Sequence, residues 1–461
     1  MESKYAGLEA AAELVTQLKG ITGDKELLNT TDKSTLVAAV NELFDAIFDV
    51  TITHIYAGED WQSSNFTDIA TQVNFIEANN TVVAFGFTNA GIKYSTDNGV
   101  TWQASNITTG QYLHVFRASN GTLITSDAYN NRNIKYSTDN GVTWQTSINS
   151  TYLHVAYFIE TDTHVLVASG SPLYGIVYST DSGVTWQYSN VTRSTYNFVK
   201  TANNTLIAAS ISSSGSIADT GIKYSTDNGV TWQDSNITSG AYTVSVTSNN
   251  VLIACCYRST GGATTGIKYS TDNGVTWQDS NITSGTYNTY SPYNHVFEAS
   301  DGTLLVDNLY STDNGATWQA GVNSVEATTF CEASDGTLLV GSVSANEGIL
   351  YSIDKGATWQ LSNFTDAIRD IIVTDAASNR LVASGAGAKY STDNGVTWQD
   401  SNHTVGFIYN MIKLSNGALL FSCDSSGSGN NGIKYSVAED IRTLKPKWET
   451  AIETLAAQLN S

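Results

Sequence analysis

The residues best suited to chemistry in this 461-residue chain are carboxylates that return at a fixed place. Asp97, Asp139, Asp181, Asp227, Asp272, Asp313, Asp354 and Asp393 each stand third in the octapeptide Ser-x-Asp-x-Gly-x-Thr-Trp, and its copies begin 39 to 46 residues apart. A carboxylate can serve as acid, base or ion ligand, but a catalytic group is needed once, not in every unit. The same carboxylate can accept hydrogen bonds from the amides of its own tight turn, while the glycine two residues later takes the positive φ the turn requires. Ser137 and Thr143 can tie the strand ends. Trp144 offers a large apolar face to a neighbouring unit, and its N–H needs one partner. The eight carboxylates therefore read as structural, and no catalytic residue is assigned.

The remaining reactive side chains do not gather. His114, His154 and His295 fall at similar places on strands of different units, which points to independent strand residues and to no metal site. Cys255, Cys256, Cys331 and Cys423 lack zinc-ligand spacing and read as buried free thiols. No cofactor is implied.

The elements that position these residues follow from the period. In the unit 103–145, "YLHVFRAS" alternates as an inner strand, Asn120-Gly121 turns the chain, and "TLITS" is a second strand. "NIKYS" is a third, residues 138–141 a tight turn, and "VTWQ" a fourth. Two incomplete copies fit together. "GIKYS" (432–436) starts a ninth third strand with no Gly-x-Thr-Trp after it, and "EDWQSSN" (59–65) supplies Trp61 and Gln62 in repeat register with no third strand before it. This predicts an all-β ring over 51–437 of about nine four-stranded blades, closed by an N-terminal strand. Residues 1–50 and 438–461 are predicted helical, with Leu36, Val40, Leu43, Ile47 and Val50 on one seam and Ile441, Trp448, Ile452, Leu455 and Leu459 on another. These ends are assigned to anchoring and oligomerisation.

The octapeptide resembles the Asp-box, or bacterial neuraminidase repeat. That resemblance implies a β-propeller whose boxes are structural and lie away from the ligand site, as in sialidases, sortilin-like receptors and virion proteins. A sialidase would also need an Arg-Ile-Pro motif and an arginine triad. No Arg-Ile-Pro occurs, and the seven arginines are scattered (Arg117, Arg132, Arg193, Arg258, Arg369, Arg380, Arg442). A glycoside hydrolase is thus the weaker alternative. "TTDKSTLVAAVNEL" resembles a segment near the N-termini of bacteriophage fibre and other virion proteins, where it accompanies an anchoring or oligomerising region.

Composition narrows the partners. The net charge is −21 with charged residues at 14%, and no Lys/Arg run exists to track phosphates, so nucleic acid is not expected. No apolar stretch reaches the roughly 18 residues of a membrane span, and the N-terminus lacks a signal-peptide pattern. Asn-x-Thr triplets at Asn65, Asn106, Asn190, Asn236, Asn281, Asn363 and Asn402 read as repeat-closing turns, in preference to glycosylation sites.

Variation among the repeats indicates where binding belongs. The box turns are nearly invariant, whereas the loops between second and third strands diverge in length and composition, and loops on a rigid scaffold are where binding resides. Tyr129, Arg132, Tyr196, Tyr242, Tyr257, Arg258 and Tyr287 lie in or beside these loops and are the candidate contacts for a host surface glycan or protein. The resulting expectation is a non-enzymatic virion protein, such as a bacteriophage fibre or appendage, made in the host cytoplasm and exposed on the particle. It would join other virion proteins through its helical ends as a homo-oligomer, with a trimer favoured. A bacterial carbohydrate-binding or adhesion propeller is the other reading.

Overall fold

The computed structural model describes residues 54–55, 61–66, 73–86, 91–127, 133–149, 155–170, 175–193, 196–210, 221–258, 266–285, 296–323, 327, 329–342, 347–375, 380–385, 387–404, 407–424, 432–436 and 439–440. The helices predicted in 1–50 and after 440 lie outside them. The chain divides into two units, Gln62–Tyr435 and the pair Met1–Trp61 with Ser436–Ser461. In the latter, strand His54–Ile55 pairs antiparallel with Glu439–Asp440.

Within Gln62–Tyr435 the strands form nine four-stranded antiparallel sheets, the blades of a propeller. Blade 1 comprises Val73–Ala78, Thr81–Gly86, Lys93–Ser95 and Gln103–Ala104, and blade 2 Tyr112–Arg117, Leu123–Asp127, Ile134–Ser137 and Gln145–Thr146. Blades 3 to 8 begin with Val155–Glu160, Tyr196–Lys200, Ala241–Val246, Phe297–Glu298, Thr329–Glu332 and Asp370–Asp375, and each continues through three further strands in chain order. Blade 9 is composite: Phe407–Lys413, Leu419–Asp424 and Gly432–Ser436 come from the C-terminal side, while the fourth strand is Gln62–Ser63.

Second strands are short unbroken apolar runs because both their faces are covered by neighbouring blades. Thr81–Gly86 and Leu206–Ser210 are buried at every position. The core is therefore a series of slots between blades. Val83 of blade 1 packs with Leu123 and Trp144 of blade 2, Ile207 of blade 4 with Leu252 and Trp277 of blade 5, and Leu339 of blade 7 with Leu381 and Trp398 of blade 8. The box glycine belongs to the same fit. At Gly141 (φ 89°) a Cβ would lie 2.5 Å from Val83 Cγ2, and at Gly99 it would lie 2.3 Å from Leu420 Cδ2 of blade 9. Only glycine lets each box turn close on the blade before it.

The ring is completed by the N-terminal strand. Gln62 and Ser63 pair with Tyr435 and Lys434, and Tyr435 Oη donates to Gln62 Oε1 at 2.9 Å. The same Tyr–Gln bond occurs in the other eight blades, from Tyr94–Gln103 to Tyr390–Gln399. Blade 9 then meets blade 1, where Ser422 Oγ donates to Val73 O at 3.0 Å and Asn410 Nδ2 to Asn74 Oδ1 at 2.5 Å.

Deleting residues 1–65 should therefore leave Gly432–Ser436 as an open edge that invites intermolecular pairing. The expected outcome is aggregation and a lower melting temperature, read by light scattering and calorimetry. A truncated ring as soluble and heat-resistant as the full chain would refute the interlock.

Candidate functional site

The eight box carboxylates are consumed inside their own turns. In blade 2, Asp139 Oδ1 accepts from Ser137 Oγ at 2.8 Å and from the Thr143 amide at 2.9 Å, and Oδ2 accepts from Thr143 Oγ1 at 2.6 Å. Ser137 Oγ also accepts the Gly141 N–H, and Trp144 Nε1 donates to Gly141 O at 3.0 Å. Asn140, at φ 58°, takes the left-handed place before the glycine. Burial works to raise each box carboxyl, but the bonds from its threonine and serine outweigh it. All eight sit below the ordinary aspartate value. Held as carboxylates with their acceptor sites filled, they are poor candidates for proton transfer.

The Asn-x-Thr asparagines are equally committed. Asn106 Nδ2 donates to Trp144 O at 2.9 Å, and its Oδ1 accepts the Trp144 N–H at 2.8 Å, so one side chain imitates a peptide group and splices the link after blade 1 onto blade 2. Asn65, Asn190, Asn236, Asn281 and Asn363 do the same with Trp102, Trp232, Trp277, Trp318 and Trp398. Where the link lacks such an asparagine, the backbone takes over: Ile148 N–H donates to Val184 O and Val322 N–H to Ala357 O, both at 2.8 Å. A glycan on these asparagine nitrogens would break the strut, so a splice replaces the turn role expected of them.

A second inter-blade device was not visible in the repeat pattern. A serine in the first-to-second turn gives its N–H and hydroxyl to a glutamate on the next blade: Ser119 to Glu160, Ser248 to Glu298, Ser300 to Glu332 and Ser415 to Glu77. Such charge-assisted pairs are the stronger kind of hydrogen bond. Asn79 Nδ2 also reaches Asn140 Oδ1 at 3.1 Å, bringing first-to-second turns and box turns together on one face.

The opposite face carries the second-to-third loops and the blade starts. Tyr129, Arg132 and Tyr287 lie outside the described residues. Tyr257 and Arg258 end the second strand of blade 5, so their backbone lies on this face; their side chains are outside the described residues. Tyr196 and Tyr242 correct the expectation. Their exposures are 0% and 1%, and both pack in the slots with Trp232 and Trp277 respectively. A tyrosine at a strand start is placed like a surface residue, but the slot covers it, and these rings offer no face to a ligand.

Beneath the loops runs a belt of polar side chains on the inner strands: Asn74, His114, Tyr157, Asn197, Thr243, Thr329, Asp370 and Asn410. Its members also join blades. Asn197, with its amide turned to satisfy both partners, donates to Ala209 O at 3.0 Å and accepts from Val244 N of blade 5 at 3.2 Å. Asp370 accepts from the amides of Ile371 and of Met411 in blade 9, yet burial dominates and raises its pKa to about 7. The His114 ring lies 6.5 Å from Tyr157, and burial lowers its pKa. His154 and His295 are outside the described residues, and among the described residues no group of three His, Cys, Asp or Glu is placed to hold a metal. The four cysteines are free and buried.

Comparison with known proteins bears on this geometry. The pattern of the BNR/Asp-box repeat matches residues 93–104, 135–146, 223–234, 268–279, 309–320 and 389–400. The boxes of Asp181 and Asp354 make the same bonds without matching. No curated protein matches the chain. Among solved structures it is similar to the Dos1 propeller (TM-score 0.50, 10% identity, 83% of this chain and 94% of that one). It is also similar to YCF48 bound to a D1 peptide (0.40, 13%, 84% and 98%) and to a GH74 enzyme of Niastella koreensis (0.31, 15%, 79% and 74%). At 10% identity the likeness to the Dos1 propeller is one of fold alone.

Asp227→Ala removes three acceptor bonds, from Ser225 Oγ, Thr231 N and Thr231 Oγ1. Discounted for an exposed turn, the cost should be about 1–2 kcal/mol. The Asp227 pKa is lowered from 3.8, so its contribution is complete above that value and disappears as pH falls through the lower folded value. Wild type and variant should thus differ in denaturant midpoint at pH 7 and converge in strong acid. An equal difference at pH 7 and pH 2 would show that the carboxylate charge is not what stabilises the turn.

Proposed function

We propose that the protein is a non-enzymatic recognition scaffold whose nine-bladed ring holds one face fixed and presents divergent loops on the other. The observation that carries this reading is the contrast in connection lengths. The third-to-fourth connection has seven residues in every one of blades 1 to 8, and its polar side chains are bonded within the ring. The second-to-third connection has two residues in blade 6 (Asp307 and Asn308) and eleven in blade 4 (211–221). One set of turns is uniform in length and the other diverges, the arrangement expected of adaptable contacts on a rigid base. A host surface glycan or protein is the proposed ligand, with Tyr257 and Arg258 at the centre of the contact.

The N-terminal segment that resembles bacteriophage fibre proteins favours a virion appendage exposed on the particle. In that setting the chain ends join other virion proteins, and a homo-oligomer, trimeric by preference, multiplies weak single contacts into avidity.

The test is adsorption of labelled protein to a panel of bacterial cells and to a glycan array, beside its solution mass. The Tyr257→Ala/Arg258→Ala variant should lose at least about tenfold in adsorption at unchanged melting temperature, a loss of roughly 1.4 kcal/mol or more. Asp227→Ala should keep adsorption while melting earlier. Undiminished adsorption of the double variant would displace the contact from this loop, and turnover of a fluorogenic glycoside would overturn the non-enzymatic assignment.

A further inference from the structure

Seven of the nine links that leave a fourth strand place one residue between their own blade and the next. At six seams it is apolar: Phe66, Ile107, Val191, Ile237, Ile282 and Phe364. Its carbonyl accepts from the third strand of its own blade, as in Ile92 N–H to Ile107 O at 2.9 Å and Ile349 N–H to Phe364 O at 2.9 Å. Its side chain meets the next blade. Where it is aromatic, the third-strand lysine of that blade stands over the ring: Lys93 Nζ is 3.9 Å from the Phe66 centroid and Lys389 Nζ 5.0 Å from that of Phe364. A ring with a negative face attracts a lysine in this position.

At the seam between blades 8 and 9 the residue is His403. Its backbone follows the pattern, with Ala388 N–H donating to His403 O at 2.9 Å and His403 N–H to Ser401 Oγ at 3.1 Å. His403 is 7% exposed, its ring packs at 4.8 Å against Phe421, and among the described residues its Nε2 has no hydrogen-bond partner. The groups around it are Ser401 on its own link, the Ala388 backbone in the third strand of blade 8, Phe421 in the second strand of blade 9 and Lys434 in the third. Of the described side chains there, Lys434 is the charged one, equivalent in register to Lys93 and Lys389. Lys434 is itself buried, and its Nζ donates to Ser63 Oγ at 2.7 Å, on the strand that closes the ring.

We propose that His403 is an acid-sensitive latch on the closing blade. Neutral, the imidazole occupies the place that phenylalanine fills at other seams. A proton taken from solvent turns it into a buried cation beside Lys434, with no acceptor for Nε2 among the described residues. The repulsion acts on the lysine that holds Ser63, so blade 9 loosens at its two-residue N-terminal strand before the other seams. Burial, and after it the Lys434 charge, lower the His403 pKa from 6.5 to about 4. The stability this group supplies is therefore complete above about 6.5 and lost as pH falls toward 4.

Hydrogen exchange at the amides of 62–64 and 433–435, corrected for intrinsic rates and followed from pH 7.5 to 4, reads the latch directly. His403→Phe copies the Phe364 seam and His403→Ile the Ile107 seam, and both keep every other titrating group. The opening equilibrium of these amides should rise on the order of 100-fold in wild type relative to either variant across that range. Parallel profiles for wild type and variants would overturn the proposal. Should neither variant fold, the imidazole titration of His403 in the native protein decides: a midpoint near 4 sustains the latch, and a midpoint of 6 to 7 overturns it.

Discussion

Everything in this ring depends on one fit: the box hairpin of each of blades 1 to 8 inserts a tryptophan and a glycine against the second strand of the blade before it. The tryptophan fills the slot and the absent Cβ lets the turn approach, as at Gly141 over Val83 and Gly395 over Leu339. A blade alone has two apolar faces and no means of covering either, so a single repeat has no stable core. This explains why the octapeptide stays nearly constant while the rest of each unit drifts. The Ser, Asp and Thr of the box set the angle at which the tryptophan leaves the hairpin, and a different angle would miss the slot.

The same fit divides the molecule chemically. The face bearing the box turns is laced by the serine–glutamate clamps and the Asn–Asn pairs, and the asparagine splices bond the backbone of the box tryptophans, so the repeated polar residues are used within the ring. Two links replace the splice by another bond. At Ile148 and Val322 the splicing asparagine is missing, and the backbone forms a parallel bridge to Thr185 and Thr358 in its stead. Both replacements are more than half exposed, at 59% and 58%, because the backbone, not the side chain, now makes the contact. The second-to-third connections vary in length instead, and contract to two residues in blade 6 without disturbing the box of that blade.

Much of this was legible in the sequence because the fold writes its period into residues with narrow roles. Eight tryptophans and two half-copies were enough to predict nine blades and the borrowed strand at Gln62. What was not legible depends on partners far along the chain. The asparagine of Asn-x-Thr suggests a local turn, yet Asn190 bonds Trp232, 42 residues on, and nothing near it announces that choice. Glu160 and Ser119 lie 41 residues apart and carry no motif. Tyr196 and Tyr242 misled for a related reason: their position at a blade start matches an exposed loop, and only the neighbouring blade decides that the ring is covered.

The composite blade is where the design is least redundant. Blades 1 to 8 are joined internally by the chain, so a broken ladder bond leaves the fourth strand tethered seven residues from the third. In blade 9 the chain reaches the fourth strand only by way of the far side of the ring, and the strand is held by two ladder residues, the Tyr435–Gln62 bond, the bonds of Ser64 and Phe66 to Ile433, Lys434 on Ser63, and the short pairing of His54–Ile55 with Glu439–Asp440. Closing a loop through nearly the whole ring costs more entropy than closing a hairpin, although the cost grows only with the logarithm of length. Each local bond in this blade therefore carries a larger share of the closure than its counterpart elsewhere. A titratable side chain at Ile107 would disturb one seam among nine; at His403 it lies beside the strand on which closure of the ring depends.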